Sequence, residues 1–472
     1  MMKLMAKTKR LEVLLEGRHI GVLREDARGR HTFAYDLSEQ EAGQLSLSMP
    51  RRALPWEGAP VEAYIDGILP DDPSIRQRIA RRHGVNARNP FALLTVVGLD
   101  CGGGVQFMSL EDDESPVSAS LHRLDERIVP IDEEHIGRRL REISGTNQDS
   151  WQSGGEHWSL NGAQDKLALR YTNGQWYEAE GAAATTHIIK PGIRGLHEQA
   201  FNEYVCLRTA ERLLLPTAKS FYRILGGVPV IVSERWDRIV DETRTPASVS
   251  RVHQEDLCQA MGVMTDRKYQ SDGGPGAVDI VRFLREQGLP EQDVTTFFKA
   301  LVFNFLIAGS DAHAKNYAIL EPVGGAPRLS PLYDIASLFA YDTVRKERRL
   351  AMSIGGEYRW ERIEVRHWRR FADSCGGASD WDVLATILVD FALATLPAFL
   401  QVADEALRWA ETLPDANAEG TSRKRELVLR IARGIDGQSS RVLRWFQESV
   451  SDEERRMPET NGTQIRTMPD DG

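Results

Sequence analysis

Apolar residues recur along this chain in two rhythms, and the places where one gives way to the other mark its parts. Between residues 10 and 35 they come in short alternating pieces, LEVLLEG, HIGVLRED and TFAYD, with a turn at DARGR, which predicts a small β-meander. SIRQRIARRHGV and NPFALLTVVG then take up helical spacing, with Gly84 stopping one helix and Asn89 and Pro90 opening the next. Together these predict an N-terminal α/β module over residues 1–110. Residues 111–150, rich in Glu, Asp, Ser and Pro, read as a connecting segment with one or two short elements.

From Trp151 the short rhythm returns. KLALRYT, QWYEA and THIIKP predict three strands, HEQAFNEYVCLRTAERLLL a helix and VPVIVSERWD a further strand, so residues 151–250 form a small mixed lobe. Residues 251–415 are mostly helical in pattern. Over 416–472 the reading is a C-terminal extension, with one amphipathic helix at 422–448 and a polar, proline-interrupted tail of disordered composition. No internal repeat is visible, and the fold class is α+β.

Length and composition narrow the picture. At 472 residues the chain exceeds one compact core, and about 150 residues per domain gives two to four. The apolar runs at 297–309 and 384–400 are interrupted by Lys299, Asn304, Asp390 and Pro397, short of the roughly 20 residues a membrane span needs, so buried helices and no membrane partner are expected. With 59 Lys and Arg against 69 Asp and Glu, the net charge of −10 argues against broad binding to nucleic-acid phosphates. Cys101, Cys206, Cys258 and Cys375 lie far apart and form no CxxC, which excludes a thiolate zinc motif and, with no apolar leader in MMKLMAKTKRLEVLLEG, fits a reducing cytoplasm.

The chemistry concentrates in LIAGSDAHAKNYAIL, residues 306–320, where an apolar run stops at Gly309 and Asp311, His313, Lys315 and Asn316 follow within seven residues. Asp334 follows in LSPLYDIASLF. Phosphoryl transfer calls for such a set: a carboxylate to orient and deprotonate the attacking hydroxyl, and an amide oxygen with a second carboxylate to hold Mg²⁺ against the phosphates. Asp311 and Asn316 stand five apart, as do the catalytic Asp and Asn of the protein-kinase loop. Turn-capping by Asp311 and Asn316 beside a buried His313 would produce the same cluster. A metal hydrolase built on Asp311, His313 and Asp334 would lack the further histidines such sites use.

Two features of the small lobe favour phosphoryl transfer. THIIKP ends a strand on Lys190, where a phosphate-pairing lysine would stand, and the following helix carries Glu198 and Glu203 as partners for it. SLNGAQDK is a short polar loop before a strand, whose amides and Lys166 could cradle phosphates, although a plain hairpin turn reads the same way. Neither G-x-x-x-x-G-K-[ST] nor G-x-G-x-x-G occurs.

In order, SLNGAQDKLAL, TTHIIKP, FNEYVC, SERWDR, HQEDLCQAMG, KYQSDGGPG, GSDAHAKNYAIL and LSPLYDIAS resemble the HipA family of toxin kinases from type II toxin–antitoxin modules. GILPDDPSIRQRIARRHGV and NPFALLTVVGLDCGGGVQF resemble that family's N-terminal subdomain, so the resemblance covers about residues 10–410. It implies an ATP- and Mg²⁺-dependent serine/threonine protein kinase with a protein-kinase-like two-lobed fold. Asp311 would be the catalytic base, Asn316 and Asp334 the Mg²⁺ ligands, and His313 and Lys315 nucleotide-side residues of the catalytic loop. Asn161, Gly162, Ala163, Gln164, Asp165, Lys166 and Lys190 would hold the phosphates, and the backbone at Glu234 and Trp236 would meet adenine. Ser159 matches the autophosphorylated serine whose modification ejects the phosphate loop. Asn161, Asp165, where Glu is more usual, and Trp236, where Phe is, depart from the family pattern and bear on nucleotide affinity.

The resemblance further implies a growth-arresting toxin that phosphorylates an aminoacyl-tRNA synthetase, the glutamyl enzyme first. Its neutralising partner would be a small basic helix-turn-helix antitoxin of the HipB kind, through which alone the chain would meet DNA. A corepressor that stabilises the antitoxin on its operator, and a small-molecule kinase, are the alternative readings.

Overall fold

Apolar alternation at the N-terminus becomes a sheet because each strand has one face to bury. In the computed structural model, which describes residues 9–38, 43–109, 126–144, 158–162, 164–341, 348–414 and 416–456, strands β1 (Lys9–Leu15), β2 (Arg18–Glu25) and β3 (His31–Tyr35) are the expected meander. Glu16 and Gly17, both with positive φ, make the two-residue turn that matches the twist of a hairpin. With β4 (Trp56–Glu57) and β5 (Val105–Met108) the sheet order is β4-β3-β2-β1-β5. Helices α1 (Ala59–Gly67), α2 (Pro73–His83) and α3 (Pro90–Val97) fill the connection. The Asp72 and Asn89 side chains accept the first free N–H groups of α2 and α3, and Gly84 ends α2 in the left-handed region, as its place in the sequence predicted.

The segment read as a connector contributes more than a link. Its described part forms β6 (Glu126–Ile131) and α4 (Glu133–Ser144), and β6 joins the small-lobe sheet as an edge strand. That sheet runs β10-β11-β9-β7-β8-β6 and contains the foreseen β7 (Leu167–Thr172), β8 (Gln175–Gly181), β9 (His187–Pro191) and β11 (Val228–Glu234), with β10 (Ser220–Leu225) at the far edge. Leu167, Ile189, Val230 and Val232 share one core with Leu11, Phe33, Tyr64 and Phe91, so the N-terminal module and the small lobe are built against each other.

Helix α5 (Gln199–Arg212) packs instead into the core of the helical lobe, together with α7 (Ala277–Glu286), α8 (Glu291–Ile307), α9 (Val365–Cys375) and α10 (Ala378–Thr412). The short α6 (Leu257–Ala260) precedes them in the chain. The run at 297–309 is buried, as expected, and belongs to α8 as far as Ile307. The run at 384–400 belongs to the 35-residue α10, which is long and apolar enough to cross a membrane but buries Leu384, Leu388, Phe391, Phe399 and Val402 against its neighbours. The C-terminal helix α11 (Ala418–Arg456) exceeds the expected 422–448 and packs Leu427, Ile431, Ile435 and Val442 into the same core. It crosses Phe339 at Gly434, where a Cβ would stand 2.2 Å from the ring. The polar tail was foreseen from residue 451; its residues 451–456 instead continue α11, and the rest lies outside the described residues.

Candidate active site

The opening polar cluster takes its shape from the end of α8. Ala308 turns into the left-handed region and Gly309 follows where a Cβ would meet the Asn304 side chain at 2.2 Å, so the chain leaves the helix at once. Ser310 through His313 form a loop, Ala314–Asn316 a single 3₁₀ turn, and β12 (Ala318–Leu320) carries the chain back into the core. The Asn316 amide N–H donates to the Asp311 carbonyl at 2.7 Å, which ties the two ends of the five-residue spacing together and leaves the amide oxygen for another ligand. The Asp311 side chain is 67% exposed, with Oδ1 accepting from the Tyr269 hydroxyl at 2.6 Å and lying 4.0 Å from His313 Nε2. Tyr269 also packs edge-on against the His313 ring at 4.8 Å. Burial lowers the His313 pKa, which favours the neutral ring.

Asp334 is a non-glycine residue at φ 57, a strained conformation of the kind that neighbours must enforce. They do so on both sides. The Tyr333 hydroxyl donates to the Lys315 carbonyl at 2.7 Å, and Ser337 is held by Asn202 of α5 through its N–H at 3.0 Å and its carbonyl at 2.8 Å. The next residue of that helix, Glu203, lies 3.0 Å from Lys190 Nζ, and Lys190 reaches Asp334 Oδ1 at 2.9 Å. Burial pushes the Lys190 ammonium down, but Asp334 and Glu203 outweigh it and hold the group above its ordinary value. Burial likewise opposes ionisation of Asp334, and Lys190 overcomes it, so the carboxyl sits below the usual range. Glu198, the other acid foreseen for Lys190, pairs instead with Arg423 at 3.1 Å and Lys424 at 3.0 Å on α11.

The loop before β7 closes over the same space. Lys166 donates to the Asn161 carbonyl, Asn161 to Asp256 at 2.9 Å, and Gln164 to the Pro191 carbonyl at 2.6 Å, while Asp165 is paired with Arg78 of α2. Burial, then the nearby Lys190 charge, push Lys166 down to about 8. Trp236 packs at a tilt against Tyr333, ring centroids 4.8 Å apart, and donates to Gln254 at 3.0 Å.

A cavity of about 1080 Å³ gathers Asp311, His313, Lys315, Asn316, Asp334, Lys166, Lys190, Asn161, Gly162, Gln164, Asp165 and Trp236. Two foreseen residues stand apart from it. Glu234 does not line the cavity, because its N–H bonds to the Lys219 carbonyl at 2.8 Å and its carboxylate lies 3.4 Å from Lys219; Arg235 lines it instead. Ser159 is buried, its hydroxyl donating to the Ile68 carbonyl at 3.0 Å. Ala163 lies outside the described residues. Sequence reasoning missed Asp71, Asp256, Lys268 and Tyr269. Of these only Asp256 left a local sign, the D-x-x-Q capping box it forms with Gln259.

The arrangement can do one kind of chemistry well. An open carboxylate stands at the mouth, an amide oxygen and a second carboxylate stand behind it, and lysines line the space between. Among the described residues no three His, Cys, Asp or Glu side chains meet as a self-sufficient metal cage. Asn316 Oδ1 and the Asp334 carboxylate fit a cation that takes its other ligands from a phosphorylated substrate.

Comparison with known proteins agrees. Residues 158–398 match the HipA-like C-terminal domain, and residues 11–108 match the HipA N-terminal domain. A Sinorhizobium fredii protein named as a kinase, Y4mE, is 35% identical over 370 residues, which is 78% of this chain and 86% of that one. The serine/threonine-protein kinase toxin HipA of Shewanella oneidensis is 31% identical over 388 residues, 79% of this chain and 84% of its own. A chain in the solved complex of Shewanella oneidensis HipA, HipB and operator DNA shares the fold, with a TM-score of 0.77 and 24% identity over 93% of this chain and 98% of that one. With both family domains in order along one polypeptide, this chain belongs to the HipA family and is a protein kinase.

Proposed function

We propose that this kinase transfers the γ-phosphate of ATP to a serine or threonine of a protein, and that it acts as a toxin by phosphorylating an aminoacyl-tRNA synthetase, the glutamyl enzyme first. The observation that carries the transfer is the convergence of Asp311, Asn316, Asp334 and Lys190 on one cavity. Asp311 takes the proton of the attacking hydroxyl; its exposure and the fixing of Oδ1 by Tyr269 leave Oδ2 for that hydroxyl. Lys190 is kept charged by Asp334 and Glu203 and, with Lys166 and Lys315, faces the phosphates. Asn316 and Asp334 would hold Mg²⁺, which when bound neutralises charge building up on the transferred group. Trp236 and the neighbouring Arg235 would form the adenine side.

Ser159 is the proposed self-inactivation site. Phosphorylation adds about −1.5 to −2 charge, and its hydroxyl is buried against the Ile68 carbonyl, so a phosphate could not stay where the hydroxyl is. The proposed partner is a small basic HipB-like helix-turn-helix antitoxin, which the net charge of −10 suits and through which alone the chain would meet DNA.

The test is transfer of labelled γ-phosphate by the wild type and Asp311→Ala, with a panel of purified aminoacyl-tRNA synthetases as acceptors. Labelling of itself and of one synthetase by the wild type alone supports the reading and names the target. Self-labelling alone removes the synthetase, and no labelling at all favours a corepressor. Signal that persists undiminished in Ser159→Ala would place the self-modified residue elsewhere.

A further inference from the structure

Three residues at the end of α1 and just beyond it, Gly67, Ile68 and Asp71, touch the phosphate-loop segment and the catalytic loop, and Ile68 and Asp71 line the cavity. The Gly67 carbonyl accepts from Lys315 Nζ at 3.1 Å, and the Ile68 carbonyl accepts from the Ser159 hydroxyl at 3.0 Å. Asp71 donates its N–H to the Gly162 carbonyl at 3.1 Å and accepts the Gly162 N–H on Oδ1 at 3.3 Å. The same carboxylate lies 3.3 Å from Lys315 Nζ and, through Oδ2, 2.8 Å from Lys268 Nζ, next in the chain to Tyr269, which holds Asp311. Asp71 is only 7% exposed, and although burial resists its ionisation, Lys315 and Lys268 hold it far below the usual carboxylate range.

Local sequence fixes the segment in place. A Cβ on Gly67 would stand 2.6 Å from Gln259 Cγ, so the end of α1 lies directly on the capping box of α6. Immediately after Asp71, Asp72 caps α2 and Pro73 opens it. Asp71 is therefore held between two anchored helix ends, with little freedom to follow a loop that moves.

We propose that Gly67 to Asp71 is a latch, with Asp71 as its positioning residue, which holds the phosphate loop closed in register with the catalytic loop. On this view the N-terminal module sets the nucleotide affinity of the kinase. The inference rests on the kinase reading above but does not depend on its substrate. It also gives Ser159 its lever: a phosphate on that hydroxyl would face the Ile68 carbonyl, acceptor against acceptor, and open the latch next to Asp71.

The test uses the full chain carrying Asp71→Ala or Asp71→Asn, with Asp72→Ala as a neighbour that caps α2 without touching either loop. In ligand-free protein, trypsin cleavage after Lys166 should quicken about tenfold in Asp71→Ala and less in Asp71→Asn, which keeps an acceptor for Gly162. Binding of a fluorescent ATP analogue should weaken about tenfold, with KM for ATP rising alongside and kcat at saturation nearly unchanged. Asp72→Ala should do neither. Wild-type cleavage and wild-type nucleotide affinity in a folded Asp71→Ala or Asp71→Asn would overturn the latch, as would equal effects from Asp72→Ala. If the wild type bound no nucleotide, the kinase reading would fail while the cleavage rates still reported on the latch.

Discussion

Two of the buried charge clusters, one around Asp100 and one around Lys190, differ in how far their carboxylates are engaged. Asp100 accepts from Arg238 at 2.8 Å and Arg251 at 3.0 Å on one oxygen, and from the Thr185 N–H at 3.0 Å and hydroxyl at 2.7 Å on the other, with Arg235 at 3.4 Å. Asp237 takes Arg235 at 2.8 Å and the Gly103 N–H at 2.7 Å, and no side chain in these ion pairs is more than 8% exposed. Around Lys190 the pairing is deliberately short of complete. Asp334 uses one oxygen and is 40% exposed, Asp311 is open, and among the described residues Lys166 donates to a carbonyl rather than an acid. A carboxylate with all its lone pairs engaged can only hold structure together, whereas one with a free oxygen beside a lysine short of counter-charge can bind something that arrives.

The comparison breaks most sharply at its most open member. Asp311→Ala should cut phosphate transfer about 10³-fold, the range expected for losing a general base, while the thermal midpoint stays unchanged because that side chain supports little else; a matching fall in midpoint would make Asp311 structural. Asp100→Ala should do the reverse, destabilising the fold by about 3–5 kcal/mol through the arginines it leaves unpaired. Denaturant unfolding reads this, and activity per folded molecule should hold. Between the two lies Lys190→Met, which should abolish transfer and also cost about 2–3 kcal/mol by stranding Glu203. Adding Glu203→Gln should restore stability without restoring transfer, and recovery of both would move Lys190 to the scaffold.

The smallest effect is the most specific. Lys166 sits at about 8 rather than the ordinary 10.5, so between those values the unfolded chain binds more protons than the folded one. Stability should therefore rise as pH climbs from about 8 towards 10.5, and Lys166→Met should remove that rise. Nucleotide phosphates favour the charged lysine, so ATP binding near pH 8.5 should take up part of a proton, measured by calorimetry in buffers of different ionisation enthalpy. No uptake would mean that Lys166 does not face the phosphates.

Much of this was legible in the chain. Gly84, Asn89 and Pro90 punctuate the helices where their chemistry says they should, and the spacing of Asp311 and Asn316 survives as a hydrogen bond across the loop. What stayed hidden was carried by distance. Gly67 and Lys315 meet across 248 residues, and no local pattern announces that a module read as separate will complete the cavity. One or two short elements were expected in the connecting segment, but not that β6 would join the small-lobe sheet: as an edge strand it carries Pro130 and charged residues, which a central strand would not tolerate. Glu234 shows the limit of carrying a position over by resemblance, since a residue next to the cavity wall turns its N–H to Lys219 instead.

The helix α11 has a consequence in time. Chains are made from the N-terminus onward, so Asp311 and Asp334 leave the ribosome before Arg423, Lys424 and Gly434. A nascent chain thus holds its full set of reacting side chains while Glu198 still waits for its two cations and Phe339 for the glycine that lies over it. The order of synthesis places the brace after the chemistry, and Glu198 and Phe339 meet their partners only once that helix has been delivered.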